Sequence, residues 1–339
     1  MPDHSTTAIV FTGKDQVEVR TMPSPEPRPG EFTVRLTRSL VSAGTEGICL
    51  GRLFEPGTHW DRWVRYPFHP GYSAVGTVCA IGEGTHRVRV GDRVAVRSPH
   101  ASVVLVGADE DVHLVPDSVT DEEAVWFHLA TIAQVGVRRA EHRLGDTVAV
   151  LGLGPVGQLA AQYARVCGAA QVFAVDLSAR RTELAVGNGA HTGLTGTAEK
   201  ARSAILEATG QGVDVVYDVT GAAPVFAEAL RMTREFGTVV VLGDTGTPTA
   251  QTLTSDLIVK GLNIVGAHDV HGAFAAGPRN PWNNQRMGEL FFSLLARGDL
   301  DTASLNSHVF PATEAKEAYR LVQARPEDLT GLILDWTTL

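Results

Sequence analysis

The chain has 339 residues, with 29 Lys and Arg against 38 Asp and Glu, giving a formal net charge of −9. That length suits about two domains, and 44% hydrophobic against 20% charged residues excludes a mainly disordered chain. The acidic balance argues against a general nucleic-acid binder and against a protein held to anionic membranes.

Up to about Asp121 the chain reads as short strands between turns. Phe32-Thr33-Val34-Arg35-Leu36 alternates as a half-buried strand does. Gly71 to Val78 and Arg93 to Val96 are further strands, bracketed by turns at Gly82-Glu83-Gly84 and Gly91-Asp92. A small β-barrel or folded sheet is expected. Asp121 to Arg139 reads as one helix, whose acidic start at Asp121, Glu122 and Glu123 suits the positive end of its dipole.

Strands and helices then alternate. Val148 to Leu151 is an apolar run suited to a strand buried on both faces. Next come a helix from Val156 to Cys167, a strand from Gln171 to Val175 and a helix from Ala179 to Gly187. Strands Val213 to Val219, Thr238 to Leu242 and Leu262 to Val265 follow, with a helix Ala223 to Thr233 among them. Repeated βα units predict an α/β fold with a doubly wound parallel sheet. The end comprises a helix Gln285 to Arg297, an extended His308 to Pro311, helical spacing of Ala315, Ala318, Tyr319 and Val322, and a strand Leu332 to Leu334. This tail is too small to fold alone and is expected to pack on the N-terminal domain.

Cys49, Cys79 and Cys167 supply neither a disulfide framework nor a four-cysteine zinc site. The first residues lack a basic and apolar leader, and no apolar run is long enough to span a bilayer. A soluble, cytoplasmic protein is expected.

Gly152-Leu153-Gly154-Pro155-Val156-Gly157 fits G-x-G-x-x-G between a strand and a helix, the context that makes this pattern informative. Gly152 permits the tight turn, Gly154 lets the backbone approach a pyrophosphate, and Gly157 lets helix and strand pack closely. The pyrophosphate would lie on the free N–H groups around Pro155 and Val156. Asp176 ends the next strand, where a carboxylate bonds the ribose 2′-hydroxyl and repels a 2′-phosphate. NAD is therefore expected over NADP, with Arg180 and Arg181 read as adenosine-side contacts or surface charge. Thr220, Leu242, Gly243 and Ala267 lie at later strand ends and are expected on the nicotinamide side.

With these marks in place the chain resembles the medium-chain dehydrogenase/reductase family over almost its whole length. The resemblance is carried by Ala43-Gly44-Thr45-Glu46, by Gly71 to Val78, by Val90-Gly91-Asp92-Arg93-Val94 and by Gly145-Asp146-Thr147-Val148. Asp218-Val219-Thr220-Gly221, Gly237 to Gly243 and His308-Val309-Phe310-Pro311 complete it. It implies a GroES-like β-rich catalytic domain of residues 1–122 completed by 298–339, with a Rossmann NAD-binding domain at 123–297. It also implies a homodimer joined at the sheet edge near Leu262-Asn263-Ile264-Val265.

The chain departs from the zinc-dependent members. Ala43 stands where they carry a cysteine ligand, Tyr72-Ser73 where they carry a His-Glu pair, and His128 near their third ligand. Residues 99–110 are short and cysteine-free where the structural-zinc lobe would be. The resemblance therefore implies a member with no metal.

Without a metal, a side chain or water must stabilise a developing alkoxide. Tyr72 can hydrogen-bond or protonate a substrate oxygen, or simply fill the space of the missing histidine. Thr45 holds the position of the family's proton-relay hydroxyl, or braces a turn. His128 titrates near neutrality, or is a core histidine. Glu46 orients these groups, or is a paired structural acid. Substrate-wall candidates are Trp60, His268, Asp269, Trp282 and Asn283, with Trp63 and His271 beside them; each tryptophan equally suits packing under a loop.

The leading reading is a zinc-independent, NAD-dependent dehydrogenase acting on a secondary alcohol or ketone of a polar sugar, cyclitol or specialised metabolite. Its partner is that small molecule, with no nucleic acid and no membrane. A zinc-free quinone or enoyl reductase, and a nucleotide-binding protein without catalysis, are the alternatives.

Overall fold

The computed structural model describes residues 5–269 and 281–339. The chain forms two compact units. The first comprises Met1–Leu53, His59–His128 and Asn284–Leu339, and the second Phe54–Thr58 and Leu129–Asn283.

The first unit opens with strands β1 (Ser5–Gly13) and β2 (Gln16–Pro23), paired antiparallel as a hairpin. Strand β3 (Phe32–Val41) leads into helix α1 (Ala43–Gly51), and helix α2 (His59–Trp63) follows. Strands β4 (Ala74–Ile81), β5 (Arg93–Val96), β6 (Val103–Val106) and β7 (Val112–Leu114) come next. The stretch read as one helix from Asp121 to Arg139 is two, α3 (Asp121–Ala124) and α4 (Phe127–Arg139). The break seats Trp126, fully buried, where its Nε1 donates to Asn306 Oδ1 at 2.8 Å. Ser73 takes up the polar groups that the break frees: its hydroxyl donates to Val125 O at 2.5 Å and accepts from His128 N at 3.4 Å.

The second unit holds β8 (Thr147–Leu151), α5 (Pro155–Val166), β9 (Gln171–Asp176), α6 (Ala179–Gly187), β10 (Thr192–Thr195) and α7 (Ala198–Thr209). It continues with β11 (Val213–Asp218), α8 (Ala223–Met232), β12 (Thr233–Val241), α9 (Asp256–Val259) and β13 (Asn263–Gly266). These strands form a six-stranded sheet in the order β10-β9-β8-β11-β12-β13, parallel at every pairing. Reading β8 as the first strand, this is the 3-2-1-4-5-6 order of the Rossmann fold. Ala149, Leu151, Phe173, Val216, Ile205, Phe226 and Val239 share one buried cluster within it. β10 and α7 escaped the sequence reading, because Thr192-Gly193-Leu194-Thr195 is short and has no apolar run.

The tail returns to the first unit through α10 (Asn284–Ala296), β14 (Asn306–Pro311), α11 (Ala315–Ala324) and β15 (Gly331–Asp335). β15 pairs antiparallel with β3, so the seven-stranded sheet runs β14-β15-β3-β4-β5-β7, with β6 also on β3. The expectation that the tail packs there holds. The domain boundaries differ from those expected at 122 and 298. Residues 123–128 and α10 belong to the first unit. Gly288 explains the second shift: its bare Cα brings α10 so close to β7 that a Cβ would lie 2.3 Å from the His113 ring. Phe292 packs on the same imidazole, with ring centroids 6.2 Å apart.

Candidate active site residues and cofactor loop

In the second unit, strand register decides which residues share an edge. Val175, Leu151, Asp218, Val241 and Gly266 stand in one row across β9, β8, β11, β12 and β13. The residues just beyond that row are Asp176, Gly152, Val219, Leu242 and Ala267. Ligands of parallel sheets bind at this carboxyl end. The expected cofactor residues thus come together there. Gly152 adopts φ +88 and faces Thr220, whose Cγ2 would be 2.7 Å from an added Cβ. Gly243 sits so tightly against Gly221 that a Cβ would approach its N within 2.5 Å.

The loop fits a dinucleotide. Pro155 opens α5 and Gly154 is its N-cap. A Cβ on Gly157 would fall 1.9 Å from Gly152 O, so the third glycine is demanded by packing. A Cβ on Gly154 meets nothing within 4 Å, so the second glycine is not demanded by this fold and leaves its approach open. The N–H groups of Val156 and Gly157, in the first helical turn, have no helical carbonyl to bond. Asp176 accepts from Leu153 N at 2.7 Å and Ser178 N at 2.9 Å, so its carboxylate is tied to the glycine loop. Arg181 Nη1 lies 3.7 Å from Asp176 Oδ1, which engages this cation with the acid.

Sequence reasoning passed over Asp218 as an ionisable group. It is fully buried, accepts from Thr220 N at 3.0 Å and Thr220 Oγ1 at 2.7 Å, and has no hydrogen-bond partner at Oδ2 among the described residues. Burial pushes its carboxyl up, against the lowering effect of the Thr220 bonds.

In the first unit, Tyr72, Thr45 and His128 do come together. Tyr72 precedes β4 and donates its phenol to Ser42 Oγ, while Thr45 Oγ1 lies 3.4 Å away. The His128 ring meets Tyr72 edge-on, with centroids 5.3 Å apart. His128 is buried at 6% exposure. Glu46 stands behind this cluster and is 1% exposed. Its carboxylate accepts from Ser42 N at 2.8 Å and from Tyr319 Oη, and lies 3.2 Å from His100 Nε2. Ser42, His100 and Tyr319 were not singled out as site residues in the sequence; no motif spacing links them.

The wall candidates fall separately. Trp60 lies in the first unit, packed on Trp63 at 5.7 Å, and its buried Nε1 has no hydrogen-bond partner among the described residues. In the second unit His268 Nδ1 pairs with Asp269 Oδ1 at 2.6 Å, and the Arg138 guanidinium lies over Trp282, 3.5 Å from the ring centroid. Asn283 is half-buried next to it. His271 lies outside the described residues.

Known proteins match this arrangement. Residues 37–111 match the alcohol dehydrogenase GroES-like domain and residues 155–275 the zinc-binding dehydrogenase domain. D-guloside 3-dehydrogenase of Shigella flexneri is 30% identical over 266 residues, covering 77% of this chain and 75% of that protein. Sorbitol dehydrogenase of Mus musculus is 26% identical, covering 92% and 91%. A solved structure described as a zinc-binding dehydrogenase from Sinorhizobium meliloti 1021, bound to NADP, shares the fold with a TM-score of 0.81 at 21% identity, covering 98% of this chain and all of that one at 100%. The chain therefore belongs to the medium-chain dehydrogenase/reductase family of oxidoreductases.

Proposed function

We propose that the protein is a zinc-independent, NAD-dependent dehydrogenase of a polar secondary alcohol, or the reductase of the matching ketone. The observation that carries this reading is the glycine loop with Asp176 tied to it at the carboxyl edge of the sheet. A nicotinamide dinucleotide suits that edge, and when bound it supplies or accepts the hydride. Gly154 leaves room for its pyrophosphate, and the free N–H groups of α5 face anionic oxygens well. Asp176 disfavours a 2′-phosphate by charge, which supports NAD over the NADP held by the Sinorhizobium protein; that likeness bears on fold alone. The relatives named for a guloside and for sorbitol support a polyol or sugar-type substrate.

The donor set at the zinc positions supports metal-free chemistry. Ala43 offers a methyl group, and Ser73 spends its hydroxyl on the backbone break between α3 and α4. Tyr72 is a neutral phenol already bonded to Ser42. None of these is a good zinc ligand. We read Tyr72 instead as the donor to the substrate oxygen, a reading supported by Thr45 and His128 next to it. A donor to a developing alkoxide is worth roughly 3 kcal/mol in a site that excludes water.

We further read the protein as a homodimer through the β13 edge. Phe236, Ile258, Val259 and Ile264 are 74%, 86%, 78% and 38% exposed around that edge. The Phe236 ring lies 3.1 Å from where a Gly261 Cβ would be, so it packs over the turn that leads into β13. An open apolar edge is an aggregation hazard that a second copy removes. Among the described residues no helix is long and apolar enough to cross a membrane.

The test is turnover of NAD⁺ with polyols and sugars, and of NADH with ketoses, enones and quinones, alongside elemental analysis of metal. Alcohol oxidation without stoichiometric zinc supports the reading. Activity confined to enones or quinones, tighter binding of NADPH than NADH, or activity lost with zinc on chelation overturns it. Light scattering of Ile258→Glu, expected as a monomer beside a dimeric parent, tests the edge.

A further inference from the structure

We propose that Ser42 is the proton-holding partner of Tyr72, kept in place by a buried Glu46 carboxylate on which the side chains of His100 and Tyr319 converge. The inference rests on the dehydrogenase reading for its chemistry, and on the first unit alone for its geometry.

Ser42 is the N-cap of α1, yet its side chain makes no capping bond. A serine at that position ordinarily gives its oxygen to the first free N–H groups of the helix. Here the hydroxyl is withheld from the helix and faces Tyr72. The backbone of Ser42 is held from the other side, where its N–H donates to Glu46 Oε1 at 2.8 Å.

A chain of buried hydrogen-bonding groups lies behind it, with Ser39 able to donate to His100. Trp336 Nε1 can only donate, and does so to Ser39 Oγ at 2.9 Å. Ser39 then has one hydrogen left, for His100 Nδ1 at 2.8 Å. His100 Nε2 lies 3.2 Å from Glu46 Oε2, within reach to donate to it. Tyr319 donates to that same oxygen. Both groups thus converge on the Glu46 carboxylate. Its site lies in the first turn of α1, where the helix dipole favours an anion. Ser39, Ser42, Glu46, His100, Tyr319 and Trp336 are all buried, so the frame is fixed. Gly71, at φ +100, is required by it: a Cβ there would lie 2.7 Å from the His100 ring.

The chemistry follows from the single hydrogen on Tyr72. At rest it points to Ser42. In ketone reduction the hydride adds to the carbonyl carbon, the C=O π bond breaks, and the oxygen takes the Tyr72 proton. The tyrosine oxygen is then anionic, and Ser42 turns its own hydrogen onto it. Tyr72 regains a proton from water, and alcohol oxidation runs the same steps in reverse. A hydroxyl can both accept and donate, which a backbone carbonyl cannot. Thr45 is the next hydroxyl in reach. Titratable groups near the pair within this unit include His128 on α4 and, behind Ser42, Glu46 with His100.

The test needs no substrate. Of the five tyrosines, burial pushes the phenols of Tyr66, Tyr163, Tyr217 and Tyr319 up. Subtracting the ultraviolet phenolate titration of Tyr72→Phe from that of each variant therefore isolates Tyr72. Ser42→Ala should move its midpoint up by about one pH unit, a tenfold loss of acidity, because a hydrogen bond to the anion is lost. Ser42→Thr, which keeps the hydroxyl, should restore it. An unmoved midpoint in Ser42→Ala overturns the proposal, as do identical curves for the parent and Tyr72→Phe. A parent that oxidises an alcohol while Ser42→Ala titrates unchanged refutes the coupling alone. A shifted midpoint in a protein inert toward every alcohol leaves the coupling standing and refutes the dehydrogenase reading.

Discussion

Replacing the second and third glycines of the cofactor loop by alanine should produce opposite phenotypes. In Gly157→Ala the new Cβ falls 1.9 Å from Gly152 O, roughly 1.6 Å short of ordinary contact. Both sides of the clash are backbone, so α5 or the Gly152 turn must move. Overpacking of this kind costs about 3 kcal/mol, which lowers Tm by roughly 6–12 °C in a domain of this size. In Gly154→Ala the methyl group meets nothing within 4 Å, and φ −66 with ψ −172 is open to any residue. The weaker N-cap and the stiffer unfolded chain nearly cancel, each about 0.5–1 kcal/mol. Tm should therefore stay within about 3 °C of the parent. The methyl group, however, holds a pyrophosphate off the N–H groups of α5. Losing two charge-assisted bonds costs at least ~3 kcal/mol, more than a hundredfold in Kd. Thermal unfolding and fluorescence titration with NADH read the two effects separately. A Gly154→Ala protein that binds NADH like the parent would refute the placing of the pyrophosphate at this loop.

Three further outcomes are expected. Asp176→Asn removes the charge but keeps an acceptor for Leu153 N, so the ratio of NAD⁺ to NADP⁺ affinity should fall about tenfold; an unchanged ratio in cofactor titrations counts against the role of this carboxylate. His113 is held neutral, since burial lowers its pKa below 6.5 and its Nδ1 has no hydrogen-bond partner among the described residues. A depressed histidine stabilises the fold above its unfolded pKa and loses that stability as pH falls through the folded one. Urea midpoints should therefore drop below about pH 6.5, less steeply in His113→Leu, and parallel curves for the two proteins would exclude this histidine as a cause. Gly288→Ala places a Cβ 2.3 Å from that ring and should cost about 2–3 kcal/mol in chemical denaturation; a cost below about 0.5 kcal/mol would show that α10 slides freely on β7.

Sequence pattern carried the second unit well because its signals are local. The run Val148 to Leu151, the three glycines and Asp176 lie within one βαβ unit, and parallel register alone then aligns Val219, Leu242 and Ala267 with them, with Thr220 one residue beyond. The first unit was less legible. Its sheet joins β3 to β15 across most of the chain, and no periodicity announces such a pairing. The break at Val125 was hidden because no Gly or Pro interrupts Asp121 to Phe127, whereas Trp126 is turned toward Asn306. The boundary at α10 was missed for a similar reason: an apolar-faced helix does not say against which sheet it packs, and the answer lay in the missing side chain of Gly288. Glu46 was visible as an acid and Tyr72 as a phenol, but Ser42, which touches both, looked like an ordinary helix cap.

The exchange at the former metal positions is one coupled change. A phenol at Tyr72 needs a hydroxyl neighbour to hold its proton, and Ser42 provides one only because it does not cap α1. Its backbone N–H is held by Glu46, four residues on. Glu46 in turn is held inside the fold by Tyr319, which donates to it, and by His100, whose ring fits there only where residue 71 is glycine. Ala43, with no polar atom, leaves the first turn of α1 to these groups. Each substitution is unremarkable taken singly. On the zinc-independent reading proposed above, their common effect is to put a hydrogen-bonded proton where a metal's charge would stand, ready to meet the charge that hydride transfer places on a substrate oxygen.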